Sequence, residues 1–287
     1  MRDIIDLIEE QTKLPDQIRI TDVGAMNVGG EEPWQGLIDR GLATLLGFEP
    51  QADECERCNA ESRPGRHFLP EALGDGEIWP FYQCKFGATS SIYEPNLELI
   101  CQFNGLTDLM EVIETSKIPP PRLDDIEEAR QTDFLKLDIQ GAELILLQNA
   151  TETLKNVSII QTEVNFVPLY KDQPLFAEVD QCLRAQGFML HTLLGCFGKR
   201  MLQPLVAANS PYIGFNQALW SDAVYVKPLW SLNKIPSPSF ILKYAILSHV
   251  LFNSYDFTAR ALHEYDRFAG TNLTNAYVAS FGEQLAA

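Results

Sequence analysis

The sequence predicts an α/β protein built on a doubly wound, mostly parallel sheet with a helical extension at its C-terminal end. Three observations predict it. Apolar runs of strand length alternate with amphipathic helical stretches. Acids recur at the ends of those runs, at Asp22, Glu49, Asp75, Asp138 and Glu163. A glycine-bearing turn, "ITDVGAMNVGG" over 20–30, follows the first run. Ligands of open α/β sheets bind outside the carboxyl ends of the strands. The five acids are therefore expected to meet at one binding edge.

The elements follow in order. Residues 3–12 place Ile4, Ile5, Leu7 and Ile8 as the apolar side of a short helix. "QIRITDV" alternates Ile18 and Ile20 and reads as a strand ending at Asp22. Pro33 suits a helix start, Trp34, Leu37 and Ile38 share a face, and Gly41 stops the helix. "LATLLGFEP" is a second strand closed by Glu49-Pro50, and "RHFLPEALGD" a third, ending at Gly74-Asp75. "EIWPFYQCKF" is restricted to a sheet edge by Pro80. "TDFLKLDIQGAE" is a strand with a sharp exit at Gly141, and "NVSIIQTEVNF" is the next strand. "QPLFAEVDQCLRAQGF" is a helix with Phe176, Val179 and Leu183 on one stripe. "FMLHTLLG" and "DAVYVKPL" are two further strands. Turn-formers in "SLNKIPSPS" mark a linker, dividing the chain into 1–228 and 229–287. The helical tail carries Ile241, Tyr244, Ala245, Ser248, Leu251, Phe252 and Tyr255 on one stripe. That stripe is expected to pack back on the domain, with a homodimer contact or a lid as the alternatives.

Composition limits the function. The 39 acids against 22 Lys and Arg give a net charge of −17, which repels phosphate backbones and argues against nucleic acid as a partner. Residues 1–15 carry acids where a secretory leader would be basic and then apolar, so a cytoplasmic protein is expected. No apolar run is long enough to span a membrane. Cys55-x-x-Cys58 lacks the second pair a structural zinc site needs.

The glycine turn admits two ligands. A dinucleotide wants G-x-G-x-x-G, but the glycines here are Gly24, Gly29 and Gly30, and the close pair is missing. Gly24 and Glu49 alone support that reading. S-adenosylmethionine makes other demands. Its positive end is favoured by an acid at the first turn, its ribose by an acid after the second strand, its adenine amino group by one after the third. Asp22, Glu49 and Asp75 fill those places in order, and Ser90 and Ser91 are candidates for the adenosine side.

"DVGA…NVG", "GFEP", "EALGD", "TSSIYEP", "RLDDI" and "FLKLDIQGAE" occur in the order and spacing of the FkbM-type methyltransferases, which this chain resembles over about residues 18–227. The resemblance implies a Rossmann-like sheet whose final strand runs antiparallel. It also implies methyl transfer from S-adenosylmethionine to an oxygen, often on a sugar, lipid or natural product. Carried over, Asp22, Gly24, Ala25, Asn27 and Gly29 line the methionine end, Glu49 the ribose, and Gly74-Asp75 the adenine edge. Two departures stand out. Met26 is inserted between Ala25 and Asn27, and Gln140 replaces a common Glu.

Methyl transfer needs alignment of acceptor oxygen, methyl carbon and sulfur, and a hydroxyl acceptor gains from a base. Asp138 and Glu163 end adjacent strands and are the candidate catalytic acids. One of them could act as the base. Alternatively, Asp138, Glu163 and Asn165 could hold Mg²⁺ through oxygen ligands. Asp138 could also simply cap the helix that starts near Gly141. The expected reaction is O-methylation of a small-molecule, sugar or lipid-linked acceptor. Its rivals are a nicotinamide-dependent enzyme and a non-catalytic binding module.

Overall fold

A computed structural model describes residues 3–26, 32–61, 64–195, 197–206, 208–210, 212–235 and 237–282. Its strands are β1 (Ile18–Val23), β2 (Ala43–Phe48), β3 (Arg66–Leu69), β4 (Trp79–Cys84), β5 (Val112–Ile118), β6 (Phe134–Leu137), β7 (Ile159–Asn165), β8 (Met189–Leu193) and β9 (Trp220–Val226). The helices are α1 (Ile4–Glu9), α2 (Gln35–Asp39), α3 (Ala52–Ala60), α4 (Leu97–Ile100), α5 (Leu106–Leu109), α6 (Glu143–Gln148), α7 (Phe176–Ala185), α8 (Pro238–Phe252), α9 (Tyr255–Ala269) and α10 (Leu273–Ala279).

Seven strands form one sheet in the order β3-β2-β1-β6-β7-β9-β8. β9 slots between β7 and β8 and runs antiparallel to both, while β3, β2, β1, β6 and β7 are parallel. This is the doubly wound, mostly parallel sheet expected, with its last strand reversed. Parallel strands covered on both faces read as continuous apolar runs, and successive residues show why. Phe134 and Ile159 face one core with α1, α2 and α8–α10; Leu135 and Ile160 face the other with α6 and α7. A third cluster, with Ile100, Phe103, Leu106, Met110, Leu169, Tyr170 and Leu219, roofs the carboxyl edge of the sheet.

The helical tail packs back on the domain and shares the first core. Phe134 contacts Trp34 of the α2 N-cap at 5.8 Å and Phe252 of α8 at 6.0 Å between ring centroids. Each such aromatic pair adds about 0.5–1.5 kcal/mol beyond burial. Lys243 of α8 reaches Asp133, just before β6, at 2.8 Å. The tail is not one helix: Asn253 adopts a left-handed conformation (φ 51°) and ends α8.

The structure refines three further expectations. The third strand stops at Leu69, so Gly74 and Asp75 lie in the loop beyond it. The Pro80 segment is an edge strand as expected, but of a separate two-stranded antiparallel ribbon that it forms with β5. Of the 55–66 stretch, which the sequence marks as a variable specificity loop, residues 55–60 belong to α3, whose buried face is only Cys55 and Cys58.

Candidate active site

Strand register builds the site. Val23 stands beside Phe48 and Leu137, Phe48 beside Leu69, and Leu137 beside Thr162. One residue further on, Gly24, Glu49, Asp138 and Glu163 therefore form a row along the carboxyl edge. A cavity of about 290 Å³ opens there, and those four residues help line it. Gly24 has φ +82°, and a Cβ there would lie 1.9 Å from the Asp138 carbonyl oxygen. Only glycine lets the first turn approach β6 so closely.

Under the row, Asp22 accepts a hydrogen bond from Lys136 Nζ at 2.9 Å, the two side chains being 5% and 19% exposed. Burial opposes the Lys136 charge, but Asp22, Asp138 and Glu32 more than offset it and hold the amine protonated. Burial pushes the Asp22 carboxyl up, and Lys136 pulls it back. Asp22 and Ala25 are buried beneath the cavity and do not line it.

The turn after β6 is pinned from both sides. Glu143, in the first turn of α6, accepts from the Ile139 backbone N–H at 2.9 Å. Its carboxyl is pushed up to about 7 by burial, against the pull of backbone hydrogen bonds. Ser91 donates to the Gln140 carbonyl at 2.7 Å. Gln140 sits at φ 55° and donates from Nε2 to Asp138 at 2.7 Å. No side chain caps α6, so Asp138 does not serve as its cap. The buried Glu163 accepts from Asn165 Nδ2 at 3.2 Å, and burial, then Asp138 and Glu143, push its carboxyl well above the usual range. Two carboxyls and one amide oxygen, Asn165 Oδ1, which is buried with no partner among the described residues, are few ligands for a dication, and among the described residues no cluster of three His, Cys, Asp or Glu could hold a metal. The expected Mg²⁺ site is not supported.

At the other end, Glu49 is buried, accepts the Gln51 backbone N–H at 2.9 Å, and is pushed up to about 7 by burial. Glu71 and Leu73 line the cavity on the β3 side, and Glu71 Oε2 is buried with no partner among the described residues. A second cavity of about 900 Å³ adjoins the first, sharing Gln51, Glu71 and Ala72. Asp75 lines neither; its Oδ1 accepts from Glu77 N at 2.9 Å and Trp79 Nε1 at 3.0 Å. Gly74 lines neither and packs against Pro120. Ser90 and Ser91 both line the first cavity. Asn27 and Gly29 lie outside the described residues.

The methyltransferase FkbM domain model matches residues 22–190, more than half of the chain. The chain belongs to the FkbM methyltransferase family. This FkbM protein is thus an S-adenosylmethionine-dependent methyltransferase, and the nicotinamide reading falls. Among the curated proteins no sequence matches. Among solved structures, the chain is similar to magnesium protoporphyrin IX methyltransferase from Synechocystis PCC 6803 with bound S-adenosylmethionine. The TM-score is 0.38 and the identity 8%, over 78% of this chain and 76% of that one. It is also similar to the 16S rRNA (adenine(1408)-N(1))-methyltransferase from Catenulisporales acidiphilia. There the TM-score is 0.37 and the identity 8%, over 79% and 94% of the two chains. No helix among the described residues is long and apolar enough to cross a membrane.

Several cavity residues of this FkbM protein escape a strand-end search: Glu71, Tyr170, Arg200 and Trp220. Glu71 follows Pro70, two residues past β3, and an acid just beyond the true strand end was its available signal. Tyr170 and Arg200 come from loops and Trp220 from the start of β9, and only the folded sheet brings them together.

Proposed function

We propose that this methyltransferase acts on a hydroxyl oxygen of a small-molecule, sugar or lipid-linked acceptor, with Asp138 as the general base. The observation that carries the reading is the placement of Asp138. Asp138 lines the cavity at the middle of the strand-end row, and its carboxylate is not spent on capping α6.

S-adenosylmethionine supplies a methyl group on a positively charged sulfur that leaves as a neutral thioether. The residues present fit that molecule. Glu49 and Glu71 are carboxyls at the β2–β3 side of the cavity, Glu71 with an unmet acceptor, suited to ribose hydroxyls and the adenine amino group. In this reading Gly24 lets the chain pass close to the methionine end. Asp22 and Ala25 support that turn from below, and Ser91 fixes the Gln140 turn. Asp138 takes the acceptor's proton as its oxygen takes the methyl group. Glu163, its carboxyl pushed up by burial, is suited to keep its proton and donate a hydrogen bond to the acceptor. The net charge of −17 favours a small acceptor over nucleic acid.

The test is turnover on matched hydroxyl and amine acceptors, with S-adenosylhomocysteine as the readout. Hydroxyl turnover should fall about 10²–10⁴-fold in Asp138→Asn while affinity for S-adenosylmethionine holds. Turnover on amines alone, or an unchanged Asp138→Asn rate, overturns the reading.

A further inference from the structure

The cavity carries four acids, Glu49, Glu71, Asp138 and Glu163, but among its described lining residues only one base, Arg200. Arg200 is held rigidly. Gly198 bridges to Trp220, with Gly198 N donating to the Trp220 carbonyl and Leu219 N to the Gly198 carbonyl, both at 2.8 Å. A Cβ at Gly198 would fall 2.0 Å from the Trp220 ring, so only glycine lets the segment lie flat on it. Met201 is tied to Ile213 and Asn104 by backbone hydrogen bonds of 3.0 Å. The guanidinium lies over the rings of Tyr212 and Trp220, at 5.1 and 5.2 Å.

What Arg200 lacks is an anion. Nη1 donates to the Lys199 carbonyl at 2.8 Å. Nε is buried with no hydrogen-bond partner, and no ion pair involves Arg200 among the described residues. Aromatic faces stabilise such a cation but accept none of its in-plane N–H donors, and the Lys199 carbonyl takes only Nη1. A planar fork with open donors inside a pocket matches a carboxylate or a phosphate.

Its place in the sheet separates it from the cofactor acids. Trp220 begins β9, opposite Asn165, whereas Glu49 and Glu71 follow β2 and β3. Four strand spacings, roughly 19 Å, separate β2 from β9, and two, roughly 10 Å, separate β6 from β9. Leu106, Met110 and Leu169 line the same cavity as one apolar cluster.

We propose that the acceptor is an organic acid: Arg200 binds its carboxylate or phosphate, its apolar body lies along Leu106, Met110 and Leu169, and its hydroxyl reaches Asp138. This rests on the O-methyl transfer reading and narrows its substrate class. A neutral sugar is not the preferred acceptor.

Calorimetry tests it with para-hydroxyphenylpropionate, its uncharged primary amide and para-hydroxyphenethyl phosphate, each with and without S-adenosylhomocysteine. Wild type should bind an acid at least about tenfold tighter than the amide, as expected for hydrogen bonds to a charged group. Whether the carboxylate or the phosphate binds better identifies the natural anion. Arg200→Met should reduce the preference to under about twofold with S-adenosylhomocysteine affinity unchanged, which also reports an intact fold. Arg200→Lys should keep part of it. No tighter binding of either acid, or a preference that survives Arg200→Met, overturns the proposal. Failure of wild type to bind S-adenosylhomocysteine would instead strike the reading on which it rests.

Discussion

Gln140 holds Asp138 by a 2.7 Å hydrogen bond from its side-chain amide, while its own Oε1, at 3.1 Å, shares the Tyr170 hydroxyl proton with the Thr89 carbonyl at 2.8 Å. The amide is thus oriented by one neighbour and orients the other. A Glu in its place, the residue common in the family resemblance, would set a second acid against Asp138. Two carboxyls at that distance share a proton, and one of them titrates late. Gln140→Glu should therefore lower kcat about tenfold at neutral pH and recover as pH rises. A pH–rate profile superimposable on that of the unmodified enzyme would show that residue 140 does not govern Asp138.

Glu49 makes cofactor binding depend on protons. Its carboxyl is pushed up to about 7 by burial, so near neutral pH the free protein holds it partly protonated. Ribose hydroxyls donate best to the ionised form. Binding of S-adenosylmethionine at pH 7 should release a fraction of a proton, read as an enthalpy that changes with the ionisation heat of the buffer. Affinity should rise with pH through about 7. Glu49→Gln should weaken binding by roughly 10- to 100-fold and abolish the release. Buffer-independent enthalpies in wild type would contradict this.

The strand-end row was legible because parallel strands buried on both faces leave unbroken apolar runs that end where the acids begin. Glu49, Asp138 and Glu163 follow from that rule and do line the cavity. Asp75 obeyed the same rule on a strand read too long: β3 ends at Leu69, and the loop spends the carboxylate on Glu77 and Trp79. α3 was missed because Asp53, Glu54, Glu56 and Arg57 leave too thin an apolar stripe for helical periodicity to register. β5 is exposed along nearly its whole length and carries no alternation, so only its pairing with β4 makes it a strand. Arg200 reaches the cavity through the Gly198–Trp220 bridge, a contact across some twenty residues that no local pattern announces.

Glu143 ties stability to pH. Its folded-state value near 7 lies above the ordinary 4.5 because the carboxyl is buried. Between those values the folded chain holds a proton that the unfolded chain has lost. Its contribution is thus full below about pH 4.5 and is lost as pH rises through about 7. Glu143→Gln keeps an oxygen for the Ile139 N–H and removes the titration. The variant should match wild type near pH 5 and exceed it by on the order of 1–3 kcal/mol at pH 8, measured by urea unfolding at both pH values. A variant less stable than wild type at pH 8 would mean that the ionised carboxylate is needed there.

The Lys136–Asp22 pair sits under the site, where removing either partner strands the other. Lys136→Met leaves the Asp22 carboxylate buried without its cation, and Asp22→Asn leaves the ammonium without its anion. Each single change should cost about 3–5 kcal/mol. The double variant removes both charges, so it should be less destabilised than the sum of the singles, by on the order of 1–3 kcal/mol. Because Asp22 is adjacent in β1 to Val23 and Lys136 in β6 stands two residues before Asp138, the singles should also blunt methyl transfer, and the double should regain part of it. Denaturant unfolding of the four proteins closes the cycle. Additive costs would mean that the 2.9 Å contact holds no coupling, and that the edge of the sheet is positioned by packing alone.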